Sequence, residues 1–310
     1  MLVELTTLAA AYGIYKVIFP SQSKQVKKLL SKLFQEKKFY DIKGNYPTIK
    51  QIEITNYGAI ATIDIKGICS FQDLQKQQDF IKSLFGAISV EINYKGEFIE
   101  IQLILNKLQD IEYQRIELNP FELLLGHDLK GIPIIVDMLK TPHLLICGLS
   151  GSGKSAMIRG IIANLDTKVI MLNGFLDDYK DLNNILHIQQ EEIILKRLEG
   201  LLKNPYKREK PLYIFFEELA TIKNKKIIQA LKELLCIARH YNIFLIGLIQ
   251  ISTKEELACK SYFNARCSFR QIDSSSYSVA LGVNVGDPLP KREFYVISDD
   301  LYRGRTYLLT

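Results

Sequence analysis

Apolar and polar positions alternate over residues 39–115 in a way that predicts a small α+β unit. Short runs rich in β-branched residues alternate with turn signals such as Asn56-Tyr57-Gly58, and one segment has helical spacing of its apolar residues. The predicted order is ββαββ, without an obvious catalytic cluster. Its elements are expected at Lys50–Thr55, Ala59–Ile65, Phe71–Phe85, Ile88–Tyr94 and Phe98–Leu105.

From residue 116 to 310 the pattern changes to short, fully apolar strands that alternate with helices. Such strands are buried on both faces, and their alternation with helices is typical of a parallel-sheet α/β domain. Three of them lead into polar residues or into a turn rich in glycine and serine: Leu212–Phe216, Ile243–Ile249 and His143–Cys147. Because the carboxyl ends of parallel strands share one edge of a sheet, those polar residues are expected to lie together.

The amino-terminal segment Met1–Phe19 is mostly apolar and is followed by a lysine-rich stretch. A bilayer crossing needs about 20 apolar residues, so the segment is of borderline length. It is either a membrane anchor, with the lysines on the cytoplasmic side, or a terminal helix packed on the protein and followed by a solvated amphipathic helix. A cleavable signal peptide is not expected, because the positive charge follows the apolar run. Residues 1–38 are therefore assigned to a membrane-proximal or anchoring segment.

Composition excludes several classes of protein. Of the 310 residues, 47% are apolar and 24% are charged, which is typical of a folded globular chain and excludes disorder as its main state. The five cysteines are scattered without a CxxC pair, which argues against a zinc site or a disulfide framework. The formal net charge of +6 permits a polyanionic partner.

The strongest chemical signal is a phosphate-binding loop between an apolar strand and a helix. Its pattern is GxxxxGK[ST], in which glycines let backbone N–H groups point at phosphate oxygens. The lysine would reach the β- and γ-phosphates, and the following serine would hold Mg²⁺. In this context the pattern predicts binding of a nucleoside triphosphate, ATP, rather than a functionless turn. The residues are Gly148, Leu149, Ser150, Gly151, Ser152, Gly153, Lys154 and Ser155.

Two carboxylates follow the strand Leu212–Phe216. Glu217 is expected to orient Mg²⁺ through water, and Glu218 to act as general base toward the attacking water. The alternative is a pair of acids that cap the next helix. Gln250, after the third strand, is a candidate γ-phosphate sensor, and Arg266 and Arg270 are candidates for an arginine supplied to a neighbouring subunit, or for surface salt bridges.

These residues resemble the motor domain of FtsK/SpoIIIE-type DNA translocases. The resemblance begins at Leu125–Asp137, continues through Pro142–Ser155 and the Phe216-Glu217-Glu218 strand end, and extends to Ala238–Ile243 and Asn264–Arg266. The block at 50–105 is similar to the small domain that precedes the motor in that family. Three departures stand out: Glu217 where the family has Asp, Ser274-Ser275-Ser276 in place of a basic cluster, and no room for a carboxy-terminal winged helix.

The resemblance implies a RecA-like motor domain over 116–310, after a small α+β domain over 39–115. It further implies ATP-driven movement of DNA through a homo-oligomeric, hexameric ring, with Lys154, Glu218, Gln250 and a trans-acting Arg266 as catalytic groups. The compact size is similar to TcpA-type conjugative coupling proteins, and implies a cytoplasmic protein tethered to the membrane by residues 1–19. A viral genome-packaging ATPase and a nucleotide-gated docking protein that does not pump remain alternatives.

Overall fold

The structure, a computed structural model, describes residues 20–108, 110–250, 260–283, 285 and 289–309. It contains two compact units, Met1–Gln109 and Asp110–Thr310. The boundary between the two domains was predicted from the sequence after residue 115. The predicted anchor at residues 1–19 lies outside the described residues. Among the described residues, no helix is both long enough and apolar enough to span a bilayer.

In the part that the structure describes, residues 20–108, the first unit is a four-stranded antiparallel sheet with three α-helices. The strand order is β1-β2-β4-β3. The single helix expected over residues 71–85 is two helices, and the second ends at Gly86, whose φ of 60° is the left-handed conformation common after a helix. The elements are α1 (Pro20–Glu36), β1 (Thr48–Thr55), β2 (Gly58–Asp64), α2 (Phe71–Gln75), α3 (Gln78–Phe85), β3 (Ser89–Lys95) and β4 (Phe98–Ile104).

Helix α1 contributes to the core of this unit. Its apolar residues Val26, Leu30, Leu33 and Phe34 recur at helical spacing and are buried together with strands β2 and β4. From the sequence, this helix was expected in a separate membrane-proximal segment, and one of two alternatives had it solvated. The structure shows instead that one face is buried, because the sheet offers an apolar surface that this face covers.

The second unit is built on a ten-stranded sheet in the order β6-β5-β14-β13-β12-β7-β11-β10-β8-β9. The strands from β12 to β9 in that list are parallel, and the four at the other end are antiparallel. The strands are β5 (Glu122–Asp128), β6 (Pro133–Asp137), β7 (Leu144–Cys147), β8 (Val169–Leu172), β9 (Ile185–Ile188), β10 (Leu212–Phe216), β11 (Ile243–Ile249), β12 (Ala265–Ser268), β13 (Glu293–Ile297) and β14 (Leu301–Arg305).

Helices cover both faces of the parallel strands, which confirms the predicted α/β class. Alternate residues of β7 enter opposite cores: Leu145 packs on one face and Leu144 on the other. Burial on both faces explains why β10 and β11 are almost entirely apolar. The helices are α4 (Lys154–Asn164), α5 (Glu191–Lys203), α6 (Lys225–Ile237) and α7 (Ser274–Leu281).

His143 joins three of these elements at the start of β7. It is buried, and its φ of 64° is left-handed. The Leu245 N–H donates to Nδ1 over 3.0 Å, so the ring proton must lie on Nε2, which is 3.1 Å from the Leu235 carbonyl oxygen and donates to it. Burial lowers the pKa of His143 from 6.5 to about 4. The ring is therefore a neutral link between β7, β11 and α6.

This link predicts a specific loss of stability in acid. Because the folded-state pKa of His143 is below its ordinary value, the folded chain binds fewer protons than the unfolded chain between about pH 4 and 6.5. The contribution to the free energy of unfolding is complete above pH 6.5 and is lost as the pH falls to about 4, by about 3 kcal/mol. Denaturant unfolding of the wild type and His143→Gln over this range should show their stability difference shrinking as the pH falls.

The exposed His240 provides the matched control. His240→Gln should leave the pH dependence as it is in the wild type. A stability difference between wild type and His143→Gln that stays constant from pH 6.5 to 4 would contradict the neutral, buried state of His143.

Candidate nucleotide-binding site

The predicted phosphate-binding loop connects β7 to α4 at the carboxyl edge of the parallel strands. Strand β7 lies between β11 and β12, so the loop leaves the sheet at its centre. Strand β11, which is paired with β7, and strand β10, which is paired with β11, end at the same edge, just before Gln250 and Glu217. The sheet thus brings together the three polar strand ends that the sequence analysis selected.

Two glycines allow the loop to pass close to its surroundings. Gly148 and Gly153 have φ values of 151° and 124°. A Cβ atom at Gly148 would lie 2.6 Å from Phe269 Cβ, and one at Gly153 would lie 2.9 Å from Arg292 Cα. Both contacts are far below ordinary van der Waals distance, and the second is with backbone, so these positions require glycine.

The loop backbone is fixed by hydrogen bonds to the segments around it. The N–H of Gly148 donates to the Ile249 carbonyl (3.2 Å), and the N–H of Leu149 donates to the Arg270 carbonyl (3.0 Å). These two predicted phosphate-binding residues therefore shape the loop through protein contacts. On the other side the Arg292 N–H donates to the Ser152 carbonyl over 2.7 Å.

Arg292 belongs to an ion network beneath the loop. Its guanidinium and that of Arg305 both bind Asp110, the latter at 2.7 Å, and the Arg292 hydrogen bond is the main reason that the pKa of Asp110 is lowered. The almost fully buried Glu293 accepts from Arg303 at 2.9 Å and lies 3.7 Å from Arg305. The loop thus rests on the β13–β14 hairpin through paired charges.

A cavity of about 350 Å³ opens in front of the loop. Predicted residues from the loop and from two strand ends share it with five residues that were not predicted from the sequence, two of them from the segment after β8. The predicted ones are Ser150, Gly151, Gly153, Lys154, Ser155, Glu217, Glu218 and Gln250, and the additional ones are Ala156, Phe175, Asp178, Leu248 and Lys291.

The start of α4 provides the anion-binding groups of the cavity. The N-cap Gly153 offers no side-chain cap, and the first N–H groups of a helix have no intrahelical acceptor. Lys154, Ser155 and Ala156, whose N–H groups open the helix, all line the cavity. Ser152 does not line the cavity, and its buried Oγ has no hydrogen-bond partner in the part of the chain that the structure describes. Unused donors at a helix N-terminus are suited to phosphate oxygens.

Lys154 lies folded over the loop. Its Nζ donates to the carbonyl oxygens of Gly148 (2.6 Å) and Leu149 (3.1 Å). Burial lowers the pKa of Lys154, while Glu218, the largest opposing influence, and Glu217 favour the charged form. The ammonium therefore lies near both carboxylates at the edge of the cavity.

Glu217 is almost completely buried and held at both carboxylate oxygens. The Tyr179 hydroxyl donates to Oε1 over 2.9 Å, and the Phe175 N–H donates to Oε2 over 3.1 Å. Burial raises the pKa of Glu217, and these two hydrogen bonds oppose the rise. Sequence reasoning missed Tyr179, since a lone tyrosine in a polar segment carries no motif.

Glu218 differs from its neighbour in exposure and backbone. It is half-buried, and its φ of 53° places it in the left-handed region, which is uncommon for glutamate. This conformation ends β10 and turns the next residues into a 3₁₀ turn at Leu219–Thr221. Glu218 and the exposed Gln250, which follow neighbouring strands, both line the cavity. Their roles as base and sensor stay predictions.

Arg266 does not line this cavity in its own chain. It lies on β12, where Nε donates to the Phe263 carbonyl (3.2 Å) and Nη1 contacts the Leu281 carbonyl (3.4 Å). Arg270 is exposed just beyond the same strand. The salt bridges considered as the alternative for these two arginines are absent from the ion pairs of the described residues. Their catalytic roles stay predictions.

A second, larger cavity of about 1000 Å³ lies beside β9 and α5. Its lining combines exposed apolar side chains with basic ones, and none of the described residues that line it is acidic. Leu176, next to the Phe175 that lines the first cavity, belongs to this lining, as does His187.

Fold and site together define a P-loop ATPase domain of the RecA-like type. The model of the FtsK/SpoIIIE family matches residues 105–210, so the resemblance expected from the sequence is confirmed. The DNA translocase FtsK of Pseudomonas syringae pv. tomato is 33% identical over 110 residues, which are 33% of this chain and 14% of that protein. FtsK of Borreliella burgdorferi is 34% identical over 125 residues, 37% of this chain and 15% of that protein. The matches therefore span about one seventh of these relatives' length.

Solved structures share the fold. The pCW3 conjugation coupling protein TcpA, in a monomer form with ATPγS, superposes with a TM-score of 0.58 at 17% identity, covering 89% of this chain and 93% of that one. ATPases 2 and 3 of Thermomonospora curvata EccC give a TM-score of 0.53 at 13% identity, covering 86% and 55%. Both carry P-loop ATPase folds, in agreement with the predicted RecA-like class.

The crowding at Gly153 predicts that a single methyl group abolishes nucleotide binding. In Gly153→Ala the Cβ would meet the Arg292 backbone at 2.9 Å and would have to adopt a left-handed φ, so the loop must move. Binding of a fluorescent ATP analogue should be lost, while circular dichroism shows an intact fold.

Gly160 on α4 is the matched control, because a Cβ there meets nothing within 4 Å. Gly160→Ala should bind nucleotide normally and be stabilised by about 0.5–1 kcal/mol, the usual gain for alanine inside a helix. Normal nucleotide binding by Gly153→Ala would contradict the loop geometry described above.

Proposed function

We propose that the chain is an ATP-hydrolysing DNA translocase or coupling protein of FtsK type. The observation that carries the proposal is the single cavity shared by the P-loop, the two glutamates after β10 and Gln250 after β11. These groups have the types and positions that phosphoryl transfer to water needs: anion donors, a metal-side acid and a base.

The loop and helix α4 bind and orient the triphosphate. The first N–H groups of α4 donate to phosphate oxygens, and Lys154 exchanges its contacts with the Gly148 and Leu149 carbonyls for the β- and γ-phosphates. Since the ammonium already lies at the cavity edge, this exchange needs only side-chain rotation. Nucleotide binding therefore moves the Lys154 ammonium away from the two carbonyl oxygens and places it against the negative charge that develops on the phosphate oxygens.

Ser155 and Glu217 fit an Mg²⁺ ion brought by the nucleotide. Both line the cavity, and together they offer one hydroxyl and one carboxylate, while the described residues contain no cluster of three His, Cys, Asp or Glu that could hold a metal by itself. This donor set suits a cation that keeps several waters and takes its other ligands from phosphates. The bound ion would supply neutralisation of phosphate charge.

Glu218 and Gln250 act on the water side of the cavity. Glu218 is the base that accepts a proton from the attacking water, and Gln250 orients the γ-phosphate by hydrogen bonding. The half-exposed position of Glu218 lets it reach water, whereas the buried Glu217 is enclosed by protein donors. The two adjacent carboxylates thus take different roles.

The remaining parts of the proposal are supported by resemblance and charge. The FtsK/SpoIIIE match and the net charge of +6 support DNA as the partner. One structure that resembles this chain over most of its length is that of a conjugation coupling protein, which supports DNA transfer for a mobile element. The hexameric ring is proposed from the sequence resemblance to the FtsK/SpoIIIE family. Tethering at the inner face of the membrane by residues 1–19 rests on sequence alone. The rival, a nucleotide-gated docking protein, would bind ATP without DNA-stimulated turnover.

The base assignment predicts a selective loss of hydrolysis in Glu218→Gln. The amide keeps size and hydrogen bonding but cannot accept the proton, so ATP turnover stimulated by double-stranded DNA should fall by about 10²–10⁴. Affinity for ATPγS should remain, because Glu218 takes no part in the anion-binding groups. Steady-state ATPase assays with and without DNA measure the first quantity, and calorimetry measures the second.

Glu233→Gln, an exposed glutamate on α6, should behave as the wild type. Unchanged turnover in Glu218→Gln would remove its role as base. ATP binding by the wild type without any stimulation by DNA would favour the docking protein over the translocase.

A second prediction of the proposal is that catalysis is shared between subunits through Arg266. An arginine supplied to the γ-phosphate is worth about 10³–10⁵ in rate, so Arg266→Ala should bind ATP and turn it over very slowly. Mixing it with Lys154→Ala should restore activity, because some mixed interfaces pair an intact loop with an intact arginine. ATPase activity of titrated mixtures is the measurement.

Arg270→Ala serves as the comparison and should be milder. Failure of every mixing ratio to exceed the sum of the separate variants would show that Arg266 acts within its own chain. Its hydrogen bonds to the Phe263 and Leu281 carbonyls would then be its role.

A further inference from the structure

One short segment supplies both donors that hold the buried carboxylate of Glu217. It follows β8 and includes the 3₁₀ turn Leu176–Tyr179. The Phe175 N–H and the Tyr179 hydroxyl bind different oxygens of Glu217, at 3.1 and 2.9 Å. The carboxylate is therefore fixed in rotation as well as in position.

The Tyr179 hydroxyl contacts the carboxylate that is assigned to the metal side of the site. The side chain is completely buried, and its hydroxyl donates to the Glu217 carboxylate. Burial, with the nearby Glu217 charge, raises the pKa of Tyr179, so the hydroxyl keeps its proton. A buried, protonated phenol thus donates to the acid that follows β10.

The segment that carries these donors is itself anchored on three sides. Asn173 Nδ2 donates to the Glu217 carbonyl (3.2 Å), Gln189 Nε2 donates to the Gly174 carbonyl (2.9 Å), and Arg159 of α4 donates to the Asp178 carbonyl (2.7 Å). A Cβ at Gly174 would lie 2.5 Å from Met171 Cγ and 3.1 Å from Glu217 Oε2. The turn is consequently packed directly against the carboxylate and cannot shift without disturbing it.

The length of the glutamate side chain explains why such a device is needed. An aspartate at this strand end would be one methylene shorter and have one fewer rotatable bond. The longer side chain gains reach at the cost of rotational freedom, which two fixed donors remove. They occupy two of about four acceptor sites of the carboxylate and leave the others for water molecules.

We propose that Tyr179 is a positioning residue that holds the Glu217 carboxylate in the orientation needed to bind the hydrated Mg²⁺ ion of the bound nucleotide. The inference rests on the proposed function, since it concerns the same nucleotide site. It assigns to the Leu176–Tyr179 turn the task of making a glutamate serve at a position where the resembling family has an aspartate. Tyr179 acts through Glu217 and touches neither nucleotide nor reacting water.

The test is the effect of Tyr179→Phe on metal-dependent nucleotide binding. Calorimetric titration of ATPγS at a series of Mg²⁺ concentrations should show the apparent Mg²⁺ affinity of the ternary complex reduced by about 10–100-fold, the usual effect of removing the partner of a metal-side carboxylate. Titration of ATPγS in EDTA should give the wild-type affinity within twofold, because the loop and α4 are untouched.

Tyr213→Phe is the matched control. Tyr213 is equally buried, and its hydroxyl donates to the Pro120 carbonyl over 2.8 Å, away from the cavity. This variant should match the wild type in both titrations. A loss of ATPγS affinity in EDTA as large as that in Mg²⁺ for Tyr179→Phe would indicate general damage to the site and overturn the positioning role.

A double-variant comparison shows whether Tyr179 works through Glu217. Glu217→Gln alone should reduce the dependence of ATPγS binding on Mg²⁺. Adding Tyr179→Phe to Glu217→Gln should change the apparent Mg²⁺ affinity by less than twofold. Independent, multiplying losses would overturn the inference. Both titrations are made without DNA. If Tyr179→Phe binds Mg²⁺-ATPγS as the wild type does, only the role of Tyr179 is refuted. If the wild type itself binds no nucleotide, the proposed function is refuted.

Discussion

The passage of the phosphate-binding loop between Phe269 and Arg292 is the contact on which the rest of the site depends. The loop can be there only because Gly148 and Gly153 lack side chains. Phe269 follows β12 and Arg292 precedes β13, so the strands on one side of β7 lie beneath the loop. The residues that line the side of the cavity come from the other side of β7, where Gln250 follows β11 and Glu217 follows β10. Because residues from strands on both sides of β7 must reach the loop, the site requires β7 at the centre of the sheet.

Salt bridges hold the β13–β14 hairpin beneath the loop in position. Asp110 and Glu293 share three arginines of the β13–β14 hairpin and its approach, and one of those arginines donates its backbone N–H to the loop. Removing one partner from such a group leaves a charge uncompensated, so its members depend on each other. The antiparallel end of the sheet, which contributes no group to the chemistry, thus determines where the loop lies.

Much of this arrangement follows from sequence, and the exceptions share a cause. The apolar runs ending at Phe216 and Ile249 predict the strands that the structure shows, because burial on both faces leaves an uninterrupted signal. The loop glycines are equally evident from their spacing. Tyr179 and Arg292 were missed because their roles arise from contacts across the fold: one reaches a residue 38 positions away, and the other lies beneath a loop far earlier in the chain. Periodicity carries no information about such pairs.

The turn Leu176–Tyr179 has two sides that face different spaces. Phe175, at its start, lines the nucleotide cavity of about 350 Å³, while the adjacent Leu176 lines the cavity of about 1000 Å³ beside β9 and α5. Adjacent residues in one anchored turn cannot move independently. A molecule that occupied the larger cavity and displaced the turn would change the affinity for nucleotide by some factor, and thermodynamic reciprocity requires nucleotide to change that molecule's affinity by the same factor.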